Sequence, residues 1–510
     1  MSAGRRTVLN FLKVLVVRGI GIVLSLGVSV LLANRLGASA PADAFFFVRN
    51  LVLELTEACR RVLLAWLVPV CVEAGPRGAN RVIGRYLIAM TVLGGALGGL
   101  LALAAPLYAP LLAPGFDPDR IALTERLFAL FAPLMPLILC ISVLGAALNA
   151  VRRFGIAETA MIAPRVALLV ALLVLAPDFG VMAFALSMLL GGVAGMAMVS
   201  GVWLRIGKAA LALLPEPGTR PAAGPPTSLA AIILVQFYGQ LTLWLDYSFI
   251  TAFPVGAVAT NDYAQRLILL LPGVVSASVV TILYTELSHS RESAAVPAAR
   301  AGRLGLLVVA PMVALMALFA RDLVEILFGH GRFTAEAVDA TAAQMLRYAP
   351  VPLVGLFTNV VIVAMLLDRG LNRIRLLLPV YALSLPVRYG LLAAFTARYG
   401  LEGVPVAVMV SSALVLAVLV GVPRAYRHVF LGREMLRVLA QLGLATLALA
   451  ATVEALLALA PPDAGAPVLL RVLLIAAYSA CGLVAYLGTA LFMQVEDLHR
   501  VAGLLIRKFR

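Results

Sequence analysis

The sequence predicts an all-α, polytopic membrane fold of about fourteen transmembrane helices, arranged as two six-helix lobes plus two C-terminal helices. Three observations predict it: an apolar composition, apolar stretches recurring at bilayer length, and connections that alternate between basic and non-basic. Of 510 residues, 63% are hydrophobic and 13% charged, with a mean hydropathy of +1.03. Such a chain has too few polar residues to cover a soluble core, so most of it faces lipid.

A hydrocarbon layer about 30 Å thick takes roughly 20 apolar residues per helical crossing. Breaking the hydropathy at Pro, Gly and charge clusters gives segments at 8–36, 43–73, 82–112, 122–151, 156–176, 179–205, 228–252, 259–288, 299–320, 336–367, 373–396, 402–424, 436–460 and 467–493. The first begins behind basic residues like a signal peptide, but Lys13 and Arg18 interrupt it and no small-residue cleavage site follows, so it reads as a retained helix. Pro272 with Gly273, Pro350 with Pro352, and Pro379 with Pro386 fall inside crossings and predict bends there.

Alternate connections carry Arg77, Arg81 and Arg85; Arg152 and Arg153; Arg205, Lys208 and Arg220; Arg291, Arg300 and Arg303; Arg369, Arg373 and Arg375; and Arg424, Arg427, Arg433 and Arg437. The others hold Asp43, Asp117, Asp119, Asp178, Asp262 and Asp463 with isolated arginines. The positive-inside rule then places both termini in the cytoplasm, which requires an even number of crossings, and the basic tail Arg507, Lys508 and Arg510 agrees. The net charge of +15 reports this topology and contact with anionic membrane lipids rather than nucleic acid.

The Pro/Gly-rich stretch 215–227 divides the first twelve crossings equally. The expected organisation is an N-terminal lobe over 1–214, a cytoplasmic linker over 215–227, a C-terminal lobe over 228–430, and two further helices with a basic tail over 431–510. Paired lobes suit alternating access to a cavity between them.

Ionisable residues inside crossings cost at least about 2.5 kcal/mol each on insertion scales, so they face water or a partner. In the second crossing Glu54, Glu57, Arg60 and Arg61 fall within an arc of about 120°, on one helix face. Either Glu57 neutralises Arg60 or Arg61 at helical spacing, or the face lines a hydrated cavity with Arg18 from the first helix and Asp43 at the mouth of the second. Guanidinium groups suit phosphate, which they grip through parallel hydrogen bonds. Asp246, Arg266 and Arg388 lie at similar depths in three later crossings. They form either a structural pair of Asp246 with Arg266 or Arg388, or a phosphate ligand at Arg266 beside an ion site at Asp246. Cys59, Cys71, Cys140 and Cys481 show no paired spacing and read as small packing residues. No phosphate loop, metal motif or nucleophile elbow is present, so neither cofactor, metal nor enzymatic activity is expected.

Several strings, taken in order, resemble the MurJ (MviN) lipid II flippases of the multidrug/oligosaccharidyl-lipid/polysaccharide exporter superfamily. These are Gly37-Ala38 with Asp43-Ala44-Phe45-Phe46, Ala113-Pro114-Gly115-Phe116, Asn149 to Phe154 with Ala163-Pro164, Tyr263-Ala264-Gln265-Arg266-Leu267, and Leu327-Phe328 through Gly331-Arg332-Phe333-Thr334. The resemblance spans about residues 10–430. It implies a bacterial inner-membrane carrier with a cationic central cavity and a C-terminal groove for a polyprenyl tail. Its substrate would be lipid II, an undecaprenyl diphosphate bearing the peptidoglycan building block, moved from the cytoplasmic to the periplasmic leaflet. On this reading Arg18, Arg60, Arg61 and Arg266 receive the diphosphate, while Asp43, Glu54 and Glu57 tune the cavity. The chain departs from the family around Val17-Arg18-Gly19-Ile20-Gly21, which lacks a second arginine and an Arg-Asp pair, and in the order of signs over Glu54–Arg61. Leu269 stands where a glutamate is expected, and the eleventh crossing has no carboxylate, so an ion site rests on Asp246. Export of another polyprenyl-linked saccharide, or a non-transporting scaffold for envelope synthesis, are the alternatives.

Overall fold

A computed structural model describes residues 20–21, 23–151, 159, 162–174, 180–211, 227–289, 294–368, 372–461, 466–495 and 498. These residues are helical without strands and gather into two compact units, Met1–Ala259 with His330–Thr334, and Thr260–Gly329 with Ala335–Arg510. The expected linker and the basic tail lie outside the described residues.

The first unit contains α1 (Val23–Leu36), α2 (Ala40–Leu103), α3 (Ala105–Leu112), α4 (Pro118–Phe131), α5 (Leu134–Ala150), α6 (Ala163–Val174), α7 (Gly180–Leu211) and α8 (Thr227–Ile250). Ser39 caps α2 by accepting a hydrogen bond from the Ala42 amide at 3.4 Å, with Pro41 in the first turn. The second and third expected crossings are two arms of α2, broken at Gly75 by φ 65° and ψ −172°, a conformation open essentially to glycine. Asp117 starts α4 by accepting from the Arg120 amide at 2.8 Å. α5 is buried almost all round, the pattern of a central helix. Its Ile141–Leu148 stretch forms a core with Leu63, Leu67 and Cys71 from one arm of α2, Ala79 and Ile83 from the other, and Val199 of α7. α8, the helix after the linker, packs on α2 and α3 of this unit.

The second unit is built from α9 (Ala257–His289, whose first turn belongs to the first unit), α10 (Ala295–Leu318), α11 (Ala320–Phe328), α12 (Ala335–Tyr348), α13 (Val351–Leu367), α14 (Arg373–Tyr399), α15 (Gly403–Gly421), α16 (Arg424–Phe430), α17 (Arg433–Leu459) and α18 (Val468–Phe492). α14 lies on α15, α17 on α18, and α10 against both α13 and α17. Of the three expected bends only one breaks a helix: α12 and α13 meet at 41°, where Pro350 and Pro352 remove two backbone donors in succession. α9 and α14 run through their prolines unbroken.

Among the described residues nine helical segments are long and apolar enough to cross a membrane, or ten when α12 and α13 count as one. The first arm of α2 fails such a hydropathy test because it carries Arg49, Glu54, Glu57, Arg60 and Arg61. Large apolar side chains such as Leu103, Leu204 and Phe492 project from the units at 84–89% exposure, as lipid-facing residues do.

The two C-terminal helices are pinned by polar contacts. Arg471, 5% exposed, donates to Asp322 at 2.9 Å and to Glu325 at 3.2 Å on α11, and the Tyr486 hydroxyl donates to the Leu307 carbonyl at 3.1 Å. Truncating Arg471 takes the guanidinium from Asp322 and leaves Glu325 to Arg321, at a cost of about 2 kcal/mol. Arg471→Ala therefore lowers the thermal unfolding midpoint of the detergent-solubilised protein, and an unchanged midpoint would contradict this pinning role.

Candidate functional site

The first arm of α2 brings its charges together as the spacing predicts. Arg60 holds Glu57 through Nε to Oε2 and Nη2 to Oε1, both at 2.6 Å, a two-pronged contact at i,i+3 spacing. Arg61 reaches the same carboxylate at 3.3 Å and donates to Gln236 Oε1 on α8 at 3.2 Å. One carboxylate thus serves two guanidinium groups. The helical pairing forms without burying them, since the side chains of Arg60, Glu57 and Arg61 remain 21%, 27% and 51% exposed. Glu54 is exposed on the same arm, and the Arg49 guanidinium lies 5.5 Å from the centre of the Phe46 ring. The arrangement leaves cationic groups available inside an apolar unit, chemistry suited to an anionic headgroup. Arg18 lies outside the described residues.

Asp43 occupies a different setting from the expected cavity mouth. It is 1% exposed, and its two oxygens accept from the Gly256 amide at 2.7 Å and the Ala259 amide at 2.8 Å. Arg120, spaced as an isolated arginine in the sequence, approaches the same carboxylate at 3.7 Å and binds Asp117 at 2.6 Å. Asp117 lies outside the membrane-spanning segments, and the Arg120 amide it caps, then the Arg120 side chain, hold its carboxyl below the usual range. Phe116 lies against Phe47 and beneath the Arg120 guanidinium. The segment His330–Thr334 joins this end of the unit: Arg332 donates its amide to the Asn34 carbonyl at 2.9 Å. Asp43 is therefore a clasp among three chain segments, and the two amides it accepts from lie more than 200 residues away in sequence.

In the second unit Arg266 is gripped by Asp262, one turn earlier on α9. Beside it Gln265 donates to the Tyr348 hydroxyl at 2.8 Å, which in turn donates to Asn261 at 2.8 Å. Arg388 is buried and donates to Ser411 on α15 at 2.9 Å. Asp246 sits half-buried on α8 of the first unit. The sequence reading missed Asp262 and Arg120 as partners, although the Asp262–Arg266 and Asp117–Arg120 spacings are those of helical neighbours.

A multi-pass chain, helical across its described residues, that keeps part-exposed guanidinium groups on a helix arm of an otherwise apolar unit has the architecture of a membrane transporter. The family model described as lipid II flippase MurJ matches residues 32–473, and the chain belongs to that family. It is a family of flippases rather than enzymes. The match takes in every candidate residue except Arg18, and it continues into α18. Among solved structures, the chain is similar to a lipid II flippase MurJ in an inward closed conformation, with a TM-score of 0.72 and 16% identity, covering 94% of this chain and 98% of that one. It is also similar to a Pyrococcus furiosus transporter of the MOP superfamily (TM-score 0.55, 16% identity, 80% and 93% covered) and to the Vibrio cholerae MATE transporter VcmN (0.53, 16%, 84% and 99%). At these identities the likeness is one of fold.

Proposed function

We propose that this chain carries lipid II from the cytoplasmic to the periplasmic leaflet of the bacterial inner membrane by alternating access, with both termini cytoplasmic. The observation that carries the proposal is the charged face of α2, held part-exposed in an arm flanked by apolar helices. Arg18, Arg60, Arg61 and Arg266 receive the diphosphate, and Glu54 and Glu57 set how tightly it is held. Glu57 does this by competing with the substrate for two guanidinium groups at once, which keeps binding loose enough for release. Asp43 acts at one remove, by fixing the start of α9 ahead of Arg266. Asp246 serves as an ion site, and Arg388 as a structural anchor for α14 on α15. The moving bodies are two lobes divided at the linker 215–227, with the helices beyond 430 added to them, and the basic connections rest against anionic lipid headgroups.

Replacing Arg266 with alanine should abolish lipid II translocation while membrane abundance stays unchanged. An active Arg266→Ala variant would remove Arg266 from the diphosphate site. The altered charge order in α2 also suits another polyprenyl-diphosphate saccharide, which the same variant would fail to move while lipid II translocation continued without it.

A further inference from the structure

A cavity of about 390 Å³ lies in the second unit, where α10, the end of α16 and the start of α17 meet. Its lining includes Arg300 and Arg303 from α10, His428 from α16, and Arg433 and Glu434 from the first turn of α17. Glu434 is the single carboxylate facing three guanidinium groups. It pairs with Arg303, whose side chain is 12% exposed, and is itself 72% exposed at the rim, so an anion entering the cavity competes with a solvent-screened carboxylate.

Three features point to the occupant. α10 and α17 are both long enough to span the bilayer, and the cavity is lined by the first turns of each, which places it at headgroup depth. The first turn of α17 follows Gly432, which also lines the cavity, and no side chain caps it, so its amides keep their capacity to bind an anion. Val296 in the lining, and Leu431 and Leu436 next in sequence to the lining residues Gly432 and Met435, are exposed apolar residues at 53–56%, a surface that a soluble anion does not use and an acyl chain does.

We propose that this cavity is a binding site for the phosphodiester headgroup of an anionic membrane phospholipid. Arg300, Arg303 and Arg433 hold the phosphate, and the apolar rim holds the first methylenes of the chains. The site shares no residue with the diphosphate site, and lipid binding here does not depend on transport.

The test uses the full chain purified in a neutral detergent and titrated with phosphatidylglycerol, with binding read by native mass spectrometry and by thermal stabilisation. The wild type should bind phosphatidylglycerol in preference to phosphatidylcholine. A surface arginine contributes roughly fivefold to the binding of an anionic lipid, so Arg300→Gln with Arg433→Gln should weaken binding about thirtyfold. The charge-matched pair Arg81→Gln with Arg85→Gln, which meets headgroups only as diffuse charge, should weaken it far less. Equal loss in both pairs would reduce the effect to diffuse charge and overturn the site, as would unaltered binding in the cavity pair. Stabilisation of the same size by inorganic phosphate would assign the cavity to a soluble anion and overturn the lipid assignment. Melting of each variant without lipid shows whether it is folded; should the double variant unfold, Arg300→Gln alone must lose about fivefold or the site is rejected.

Discussion

Replacing Asp43 with alanine should cost about 3–5 kcal/mol of stability, and replacing it with asparagine markedly less. The carboxylate is sealed from solvent and accepts backbone hydrogen bonds from Gly256 and Ala259 with Arg120 close by. Alanine leaves both amides without their acceptor and takes from Arg120 one of its two carboxylates. Asparagine keeps one acceptor oxygen but turns an NH2 donor toward the other amide and loses the charge. Thermal unfolding of the two variants in detergent checks this: the alanine protein melts well below the asparagine protein, and the wild type above both. Equal midpoints for all three would show that Asp43 clasps nothing.

Gly331→Ala should be nearly as damaging, by about 2–4 kcal/mol, although it adds one methyl group. Gly331 has φ +68°, and a Cβ there would lie 2.2 Å from Asn34 Oδ1 and 2.6 Å from the Asn34 carbonyl oxygen. That carbonyl accepts the Arg332 amide, so the loop cannot shift without giving up the bond. Gly400 is the control: its φ is +60°, but a Cβ there meets nothing within 4 Å. Gly400→Ala therefore bears only the left-handed backbone cost of about 1–2 kcal/mol. Proteolysis of the two variants separates the cases, with cleavage near 330–334 rising in Gly331→Ala and staying at wild-type level in Gly400→Ala. Equal cleavage would contradict the close approach to Asn34.

What could be read in the sequence follows the range of the forces involved. Apolar periodicity is local, so each of the fourteen apolar segments proves helical where it is described. Helical ion pairs are local too, and the Glu57–Arg60 contact appears at its expected spacing. Bends were harder, because a proline costs a hydrogen bond that neighbouring helices can absorb. Pro272 and Pro379 stay in continuous helices, and only the doubled Pro350 and Pro352 break one. Asp43 was legible as part of a family-like string but not as a clasp, because the amides it holds come from a segment more than 200 residues on.

The strings that carried the family resemblance turn out to be mainly packing. Phe45 and Phe46 are fully buried, Tyr263 lies against Phe328 with ring centroids 5.0 Å apart, and Gly331 admits the Asn34 backbone. Such residues define the fold strongly and the cargo weakly. The guanidinium groups that would meet the cargo sit on a helix whose charge order is this chain's own.

In the proposed mechanism the charged arm of α2 escorts a lipid-linked diphosphate across the bilayer. The most direct measurement of this is the leaflet distribution of lipid II in cells depleted of this protein and complemented with wild-type or Arg60→Ala/Arg61→Ala chains at matched abundance. The expected result is lipid II accumulating on the cytoplasmic leaflet after depletion, cleared by the wild type and not by the double variant. Clearance by the double variant at the wild-type rate would contradict the account.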